Sequence, residues 1–373
     1  MSIIIGADVV PVTSNSSLFE NEQLEELIGN ELKDILNNSD FRIFNLETPL
    51  TDQETPINKN GPNLIASTRT ALGFKAMSID LFTIANNHIL DQGSQGLVNT
   101  IETLNKVGIG YVGAGVSLED AALPYVFFTN GKKYGVYACA EHEFSIAKKH
   151  KSGANPFEPL VSFDHIIELK KKCDYIIILY HGGIEQYRYP SPYLQKVCRT
   201  FIEKGADLVV CQHSHCIGCE EKYGQGTIVY GQGNFLFDYA DNEYWNSSIL
   251  LCLNDDGSIK YIPIVKRGHC IRKADQNESK KILNAFFERS KDIKIEGFID
   301  EKYSELAEEN IAKYIMYLSG ERKNVIIRII NKLTGYRLQK RISDRYREKM
   351  GISVRNYIEC EAHRELLLKG LED

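Results

Sequence analysis

The sequence predicts an α/β fold followed by an α-helical C-terminal region, and three observations lead there. Short β-branched apolar runs alternate with helical stretches through the first 265 residues. From about Ala274 onward nearly every segment has helical periodicity and long charged faces. The charge balance changes at the same place: residues 266–373 hold 24 Lys+Arg against 18 Asp+Glu, whereas residues 1–265 hold 20 against 32. The expected division is an α/β domain over 1–270 and a basic helical region over 271–373. A chain of 373 residues has room for both.

Taken in order, the strand-like runs are Ile3–Gly6, Arg42–Leu46, Leu81–Ala85, Tyr134–Cys139, Tyr175–Tyr180 and Leu208–Cys211. Trp245–Leu253 and Ile259–Val265 flank Asn254-Asp255-Asp256-Gly257, whose Asp-Gly step signals a hairpin and hence a mixed sheet or a second one. In the C-terminal region, Val325–Leu333 and Tyr336–Ile342 place apolar residues at helical spacing opposite Arg and Lys. The expected use of such a pair is a helical hairpin with its apolar faces packed. The alternative is a peripheral membrane or protein partner that is itself anionic.

Composition narrows the function classes. With 43% hydrophobic and 25% charged residues, disorder and fibrous architectures are excluded. A net charge of −6 argues against nucleic acid as a partner. No apolar run approaches the roughly 20 residues that span a bilayer, and Met1–Gly6 lacks the basic region of a secretory leader. The expected location is cytoplasmic, with membrane association through the basic helices as the only exception. Nine scattered cysteines read as packed, reduced thiols. Only Cys216-Ile217-Gly218-Cys219 has metal spacing, and no second pair accompanies it.

Ligand-type residues follow the apolar runs. Asp8 follows the first, Asn45 and Glu47 the second, and Asn86, Asn87 and His88 the third. His181 closes Tyr175–Tyr180, and His213 with His215 follows Leu208–Cys211. Open α/β sheets collect ligands at the carboxyl ends of their strands, so five such endings converge on one edge. Carboxylate, carboxamide and imidazole without thiolate suit Mn²⁺, Fe²⁺ or Zn²⁺. The donors exceed what one tetrahedral ion needs, which points to two ions sharing a bridging ligand. Glu141-His142-Glu143 follows Tyr134–Cys139 in the same manner, and Glu185 and Tyr187 follow His181. Glu143, Glu185 and Tyr187 are the expected substrate contacts.

Asn45-Leu46-Glu47-Thr48-Pro49-Leu50-Thr51 is followed by Ala85-Asn86-Asn87-His88-Ile89-Leu90-Asp91-Gln92-Gly93. His181-Gly182-Gly183, Gly205-Ala206-Asp207-Leu208-Val209-Val210, His213-Ser214-His215 and Tyr230-Gly231-Gln232-Gly233-Asn234-Phe235 come after them. In this order and spacing the motifs resemble those of the CapA proteins of poly-γ-glutamate capsule synthesis. CapA proteins are similar to calcineurin-like metallophosphoesterases, which implies a four-layer α/β/β/α sandwich with a site for two divalent ions. The resemblance implies metal ligation by Asp8, Glu47, Asn87, His181, His213 and His215, with Glu47 bridging. It also implies that His88 faces the substrate as general acid; Asp91, three residues on, is placed either to orient it or to cap the turn. The phosphoesterase Asp-x-His start is here Asp8-Val9-Val10, one imidazole short.

The function so implied is a metal-dependent phosphoesterase acting on a phosphorylated small-molecule or polymer-precursor intermediate of envelope synthesis, through a metal-activated hydroxide. Two alternatives stand beside it. One is a capsule synthesis or assembly factor with little hydrolytic activity, motivated by Val10. The other is an amide hydrolase using the same ions on a carbonyl.

Overall fold

The apolar runs pair into two sheets whose inner faces share one core. The computed structural model describes residues 2–319, 325–335 and 337–371. The first sheet runs Cys270–Lys273, Ile259–Arg267, Ser247–Asn254, Ser2–Val10, Phe41–Leu46, Leu81–Thr83, Gly110–Val112, with Asn234–Phe237 also paired to Ser2–Val10. The second runs Glu220–Tyr223, Gly226–Tyr230, Leu208–Gln212, Tyr175–His181, Lys132–Ala140, Tyr125–Thr129.

The period-2 alternation of a strand assigns each residue to a layer. Ile3, Ile5, Ile43 and Leu81 face Val136, Ile177, Leu179, Leu208 and Val210 between the sheets. Their neighbours Ile4, Phe44 and Phe82 point outward onto Phe19, Leu32, Phe74, Leu97 and Leu104 of one helical layer. Ile176, Ile178, Val209 and Cys211 point the other way, onto Ile166, Leu169, Leu194, Val197 and Phe201 of the helices Pro159–Lys170 and Pro192–Glu203. The architecture is a four-layer α/β/β/α sandwich. Strands buried on both faces explain why the runs are continuously apolar rather than alternating.

Two expectations shift in detail. The first strand is Ser2–Val10, so Asp8 lies inside it rather than after it. Its register slips between Ile5 and Asp8 against Phe41–Leu46, and between Asp8 and Val9 against Asn234–Phe237. The first compact unit runs from residue 1 to Ile299, past the expected boundary at 270. The helix Gln276–Asp292 accounts for that extension. It starts in a capping box of Asp275 and Glu278, and its Phe286 packs on Tyr261 at 4.8 Å between ring centroids. The cysteines, finally, are all free, and burial pushes the Cys216 thiol up to about 11.

Among the described residues of the second unit, 300–373, the elements are the helices Phe298–Leu318, which begins just before it, Val325–Leu333, Arg337–Glu359 and Glu361–Gly370. The expected amphipathic pair lies here. Its apolar Ile329, Ile330 and Leu333 are exposed rather than packed, Leu333 at 80%. The side chains of residues 325–328, and Tyr336 altogether, lie outside the described residues. No helix among the described residues is long and apolar enough to cross a membrane.

Candidate metal centre

Strand register builds the site. In the second sheet, Ala140, His181 and Gln212 stand side by side at the ends of three parallel strands. In the first, Asp8, Asn45 and Thr83 do the same. The turns beyond these ends carry Glu47, Asn87, His88, Glu143, His213 and His215. Gln212 ties the sheets together there, donating from Nε2 to the Gly6 carbonyl at 3.1 Å.

Glu47 stands at the centre, fully buried. His181 Nε2 lies 3.3 Å from its Oε1, and His215 Nε2 lies 4.0 Å away. One ligand atom each from Glu47, His213 and His215 falls within 4.8 Å of the others. Asn87 Oδ1 is 3.0 Å from His181 Nε2, and the His181 and His213 rings are 4.9 Å apart. Asp8 approaches from the other side, its Oδ2 3.4 Å from His215 Nδ1. The six expected ligands therefore share one buried cluster.

Carboxamides orient the carboxylate and imidazole groups of the cluster. The Asn45 amide donates to Asp8 Oδ1 at 2.7 Å and approaches His181 Nδ1 at 3.4 Å. Asn86 in turn donates to Asn45 Oδ1 at 3.1 Å and to the Leu46 carbonyl. Asn234 Oδ1 lies 2.8 Å from His215 Nδ1, and an amide oxygen only accepts. That contact holds a proton on Nδ1 and leaves Nε2, which faces Glu47, as the nitrogen that would meet an ion once it gives up its own proton. Trp245 stacks on the same ring at 4.7 Å. His213 and His215 both hold positive φ, +87° and +51°. For non-glycine residues this is strained backbone that the surrounding packing must enforce.

The charges are in conflict as they stand. Burial and the Glu47 charge raise Asp8. Burial pushes Glu47 up too, but His215 and His181 outweigh it and hold the carboxyl well below its usual range. His213 is depressed by burial and by His181 and His215. His215 is lifted to about 9 because Glu47 and Asp8 overcome its burial. Three buried carboxylate oxygens, Asp8 Oδ2 and both of Glu47, have no hydrogen-bond partner. Unpartnered buried carboxylate oxygen is costly unless a cation meets it, so these residues fit divalent ions.

His88 sits beside the cluster, 9% exposed, close enough to interact with Glu47 and His213. Its Nδ1 is 2.6 Å from Asp91 Oδ2. A carboxylate only accepts, so Nδ1 carries the proton and Nε2 is left for other work. Asp91 also closes the turn, its amide donating to the His88 carbonyl at 2.9 Å. Orientation and turn capping, which the sequence left as rivals, coexist.

The family model for the bacterial capsule synthesis protein PGA_cap matches residues 4–239, which hold every residue just described except Trp245. The chain belongs to the PGA_cap family. Its match to the capsule biosynthesis protein CapA of Bacillus anthracis is 30% identical over 233 residues, 60% of this chain and 57% of that one. The PGA biosynthesis protein CapA of Bacillus subtilis strain 168 is 29% identical over 237 residues, 62% of each chain. The chain thus spans about six-tenths of the length of the curated relatives it matches. A phosphatase structure from Mycoplasma pneumoniae is similar at 16% identity and a TM-score of 0.44, over 75% of this chain and 96% of that one.

Within this PGA_cap chain the expected substrate contacts separate. Glu143 Oε1 reaches to 3.9 Å from His213 Nε2, and Glu141 and Glu143 line a small pocket with Asn87, His181 and His213. His142 points to solvent and pairs with Glu158 at 2.9 Å. Glu185 is exposed, with no described contact to the cluster. Tyr187 packs edge-on against Tyr189, just after Gln186, whose amide donates to the Ser214 carbonyl. Val10 is buried with Phe237 and Trp245, both of which also touch His215, so apolar packing occupies the place of the missing imidazole.

Sequence reasoning missed Lys59 and Trp245. Lys59 lies in an irregular stretch with no periodic pattern, and a lone lysine there carries no signal. Trp245 is the chain's one tryptophan, and it reads simply as the start of a strand.

Proposed function

We propose that this PGA_cap chain is a divalent-metal-dependent phosphoesterase acting on a phosphorylated intermediate of capsule or envelope polymer synthesis. One observation carries the reading: partnerless carboxylate oxygens of Asp8 and Glu47 sit inside a cluster of imidazoles and carboxamides. Asn87, His181 and His213 would hold an ion on one side of Glu47, and Asp8 and His215 on the other. Such ions supply positive charge against phosphoryl oxygens and acidify water. The chain does the rest. Asn45, Asn86 and Asn234 hold the ligand side chains in place, and burial excludes bulk water from their charges. His88, with its Nδ1 proton committed to Asp91, offers Nε2 for proton transfer to a leaving oxygen. The substrate class rests on the family's description and on the names of the two Bacillus relatives.

The test is turnover of p-nitrophenyl phosphate by chain loaded with Mn²⁺, Fe²⁺ or Zn²⁺. Phosphate release above the metal-only blank is expected. A folded, metal-loaded chain that hydrolyses no phosphate ester would refute the reading, and release of amine from peptide substrates instead would indicate an amide hydrolase. A second reading, a synthesis or assembly factor with little hydrolysis, is favoured by Val10, which leaves the Asp8 side one imidazole short. A folded chain that retains no metal would support it.

A further inference from the structure

The segment between Leu50 and Ser67 has almost no regular structure, yet it is bound closely to the turn that carries His88. The Ile57 amide donates to the Asp91 carbonyl at 3.0 Å. The Thr55 amide and hydroxyl donate to Gln92 Oε1 and to the Gln92 carbonyl, at 2.6 and 2.9 Å. Gln92 Nε2 returns a bond to the Leu64 carbonyl at 3.0 Å. Long irregular loops in compact domains are commonly functional, and this one delivers a single charge to the interior. Lys59 is 3% exposed at its side chain, and its Nζ donates to Asp91 Oδ1 and lies 3.2 Å from His88 Nδ1.

Asp91 is thereby fully committed. Lys59 takes Oδ1, the Leu64 amide takes Oδ2 at 2.6 Å, and His88 Nδ1 meets the same Oδ2 at 2.6 Å. Donors on both oxygens fix the carboxylate plane, and the plane fixes the imidazole. The geometry points to Lys59 as a positioning residue that locks Asp91 and so holds His88 in one ring orientation and one tautomer beside the metal ligands. Lys59 thus shares its carboxylate with His88, the histidine that stands beside Glu47 and His213 while being oriented by Asp91 of its own turn. For its kinetic consequence the inference rests on the phosphoesterase reading; for the state of His88 it does not.

The test compares full-length wild type, Lys59→Met and Lys59→Arg, loaded with Mn²⁺ and assayed on p-nitrophenyl phosphate. Lys59→Met should lower kcat by about 10–100-fold, less than the roughly 10²–10⁴-fold of losing the proton donor outright, because His88 stays present but mispositioned. KM and bound metal should stay unchanged, and Lys59→Arg should recover most of the rate. Unchanged kcat, or joint loss of metal and KM, would overturn the proposal. Because Lys59→Met leaves Asp91 buried without its partner, the charge-balanced pair Lys59→Met/Asp91→Asn is compared with Asp91→Asn alone. If Lys59 acts through Asp91, the two have equal kcat; an additive further loss refutes that route. Nitrogen-15 NMR of the metal-free, histidine-labelled chain supplies a readout independent of turnover. Wild type should show His88 protonated at Nδ1 as a single tautomer, and Lys59→Met a mixture. Identical His88 resonances in both would overturn the proposal even if the protein hydrolyses nothing, whereas inactive wild type with the expected His88 change would sink only the phosphoesterase reading.

Discussion

Metal should stabilise this chain measurably, and the size of the effect follows from the site. Asp8 Oδ2 and both Glu47 oxygens are buried without partners. A buried acceptor left unmet costs about 1–3 kcal/mol, so three of them leave several kcal/mol for a cation to relieve. An ion supplied at about 100 times its Kd adds about 2.7 kcal/mol to folding stability. Unfolding entropy near 2.1 cal/mol/K per residue gives the 299-residue first unit about 0.6 kcal/mol/K at its midpoint. The expected rise in Tm is therefore about 4 °C. The assay is calorimetry of chelator-stripped protein titrated with Mn²⁺, Fe²⁺ or Zn²⁺, alongside metal content after gel filtration. Glu47→Gln should abolish the shift, because the central carboxylate serves both sides of the cluster. A Tm indifferent to all three ions, with none retained on the column, would refute the claim that the orphaned oxygens mark a cation site.

Other outcomes follow from single contacts. His88→Ala should keep bound metal and lose about 10²–10⁴ in turnover, as expected for a lost proton donor; equal loss of metal would make His88 a ligand. Asn234→Ala frees the His215 ring, and metal affinity measured against a competing chelator should weaken about 10–100-fold. An unaltered affinity would show that the Trp245 stack alone orients His215. The helices Val325–Leu333 and Arg337–Glu359 set exposed Ile330 and Leu333 among Arg337, Lys340 and Arg341. Full-length protein is expected to sediment with anionic but not neutral vesicles, and to be released by high salt or by deletion of residues 322–373. No binding to anionic vesicles at low salt would end the membrane role.

Much of the first unit could be read from the chain because parallel strands announce themselves. Runs such as Tyr175–His181 are apolar throughout, since both faces are buried, and the polar residue that breaks each run marks a strand end. His181, His213, Asn87 and Glu47 were legible for that reason. Asp8 was recognisable as a candidate ligand but not as part of its strand: pairing with both Asn45 and Asn234 carries Ser2–Val10 past it, and register slips are not written in local pattern. The contrast between Glu143 and Glu185 was equally hidden. Both follow strand ends, and only the path of each loop sends one to His213 and the other to solvent.

Sequence alone determined the layered α/β class, the strand-end origin of the donors and the chemistry those donors share, because burial and ligation each demand particular residue types. Tertiary structure alone decided which carboxylate oxygens are left without partners, which face of His215 is free, and that Lys59 enters from a patternless loop to meet Asp91. The physical reason is range. Hydrophobic periodicity is a local property of a few consecutive residues, whereas the pairing of Lys59 with Asp91, 32 positions away, exists only once the chain has folded.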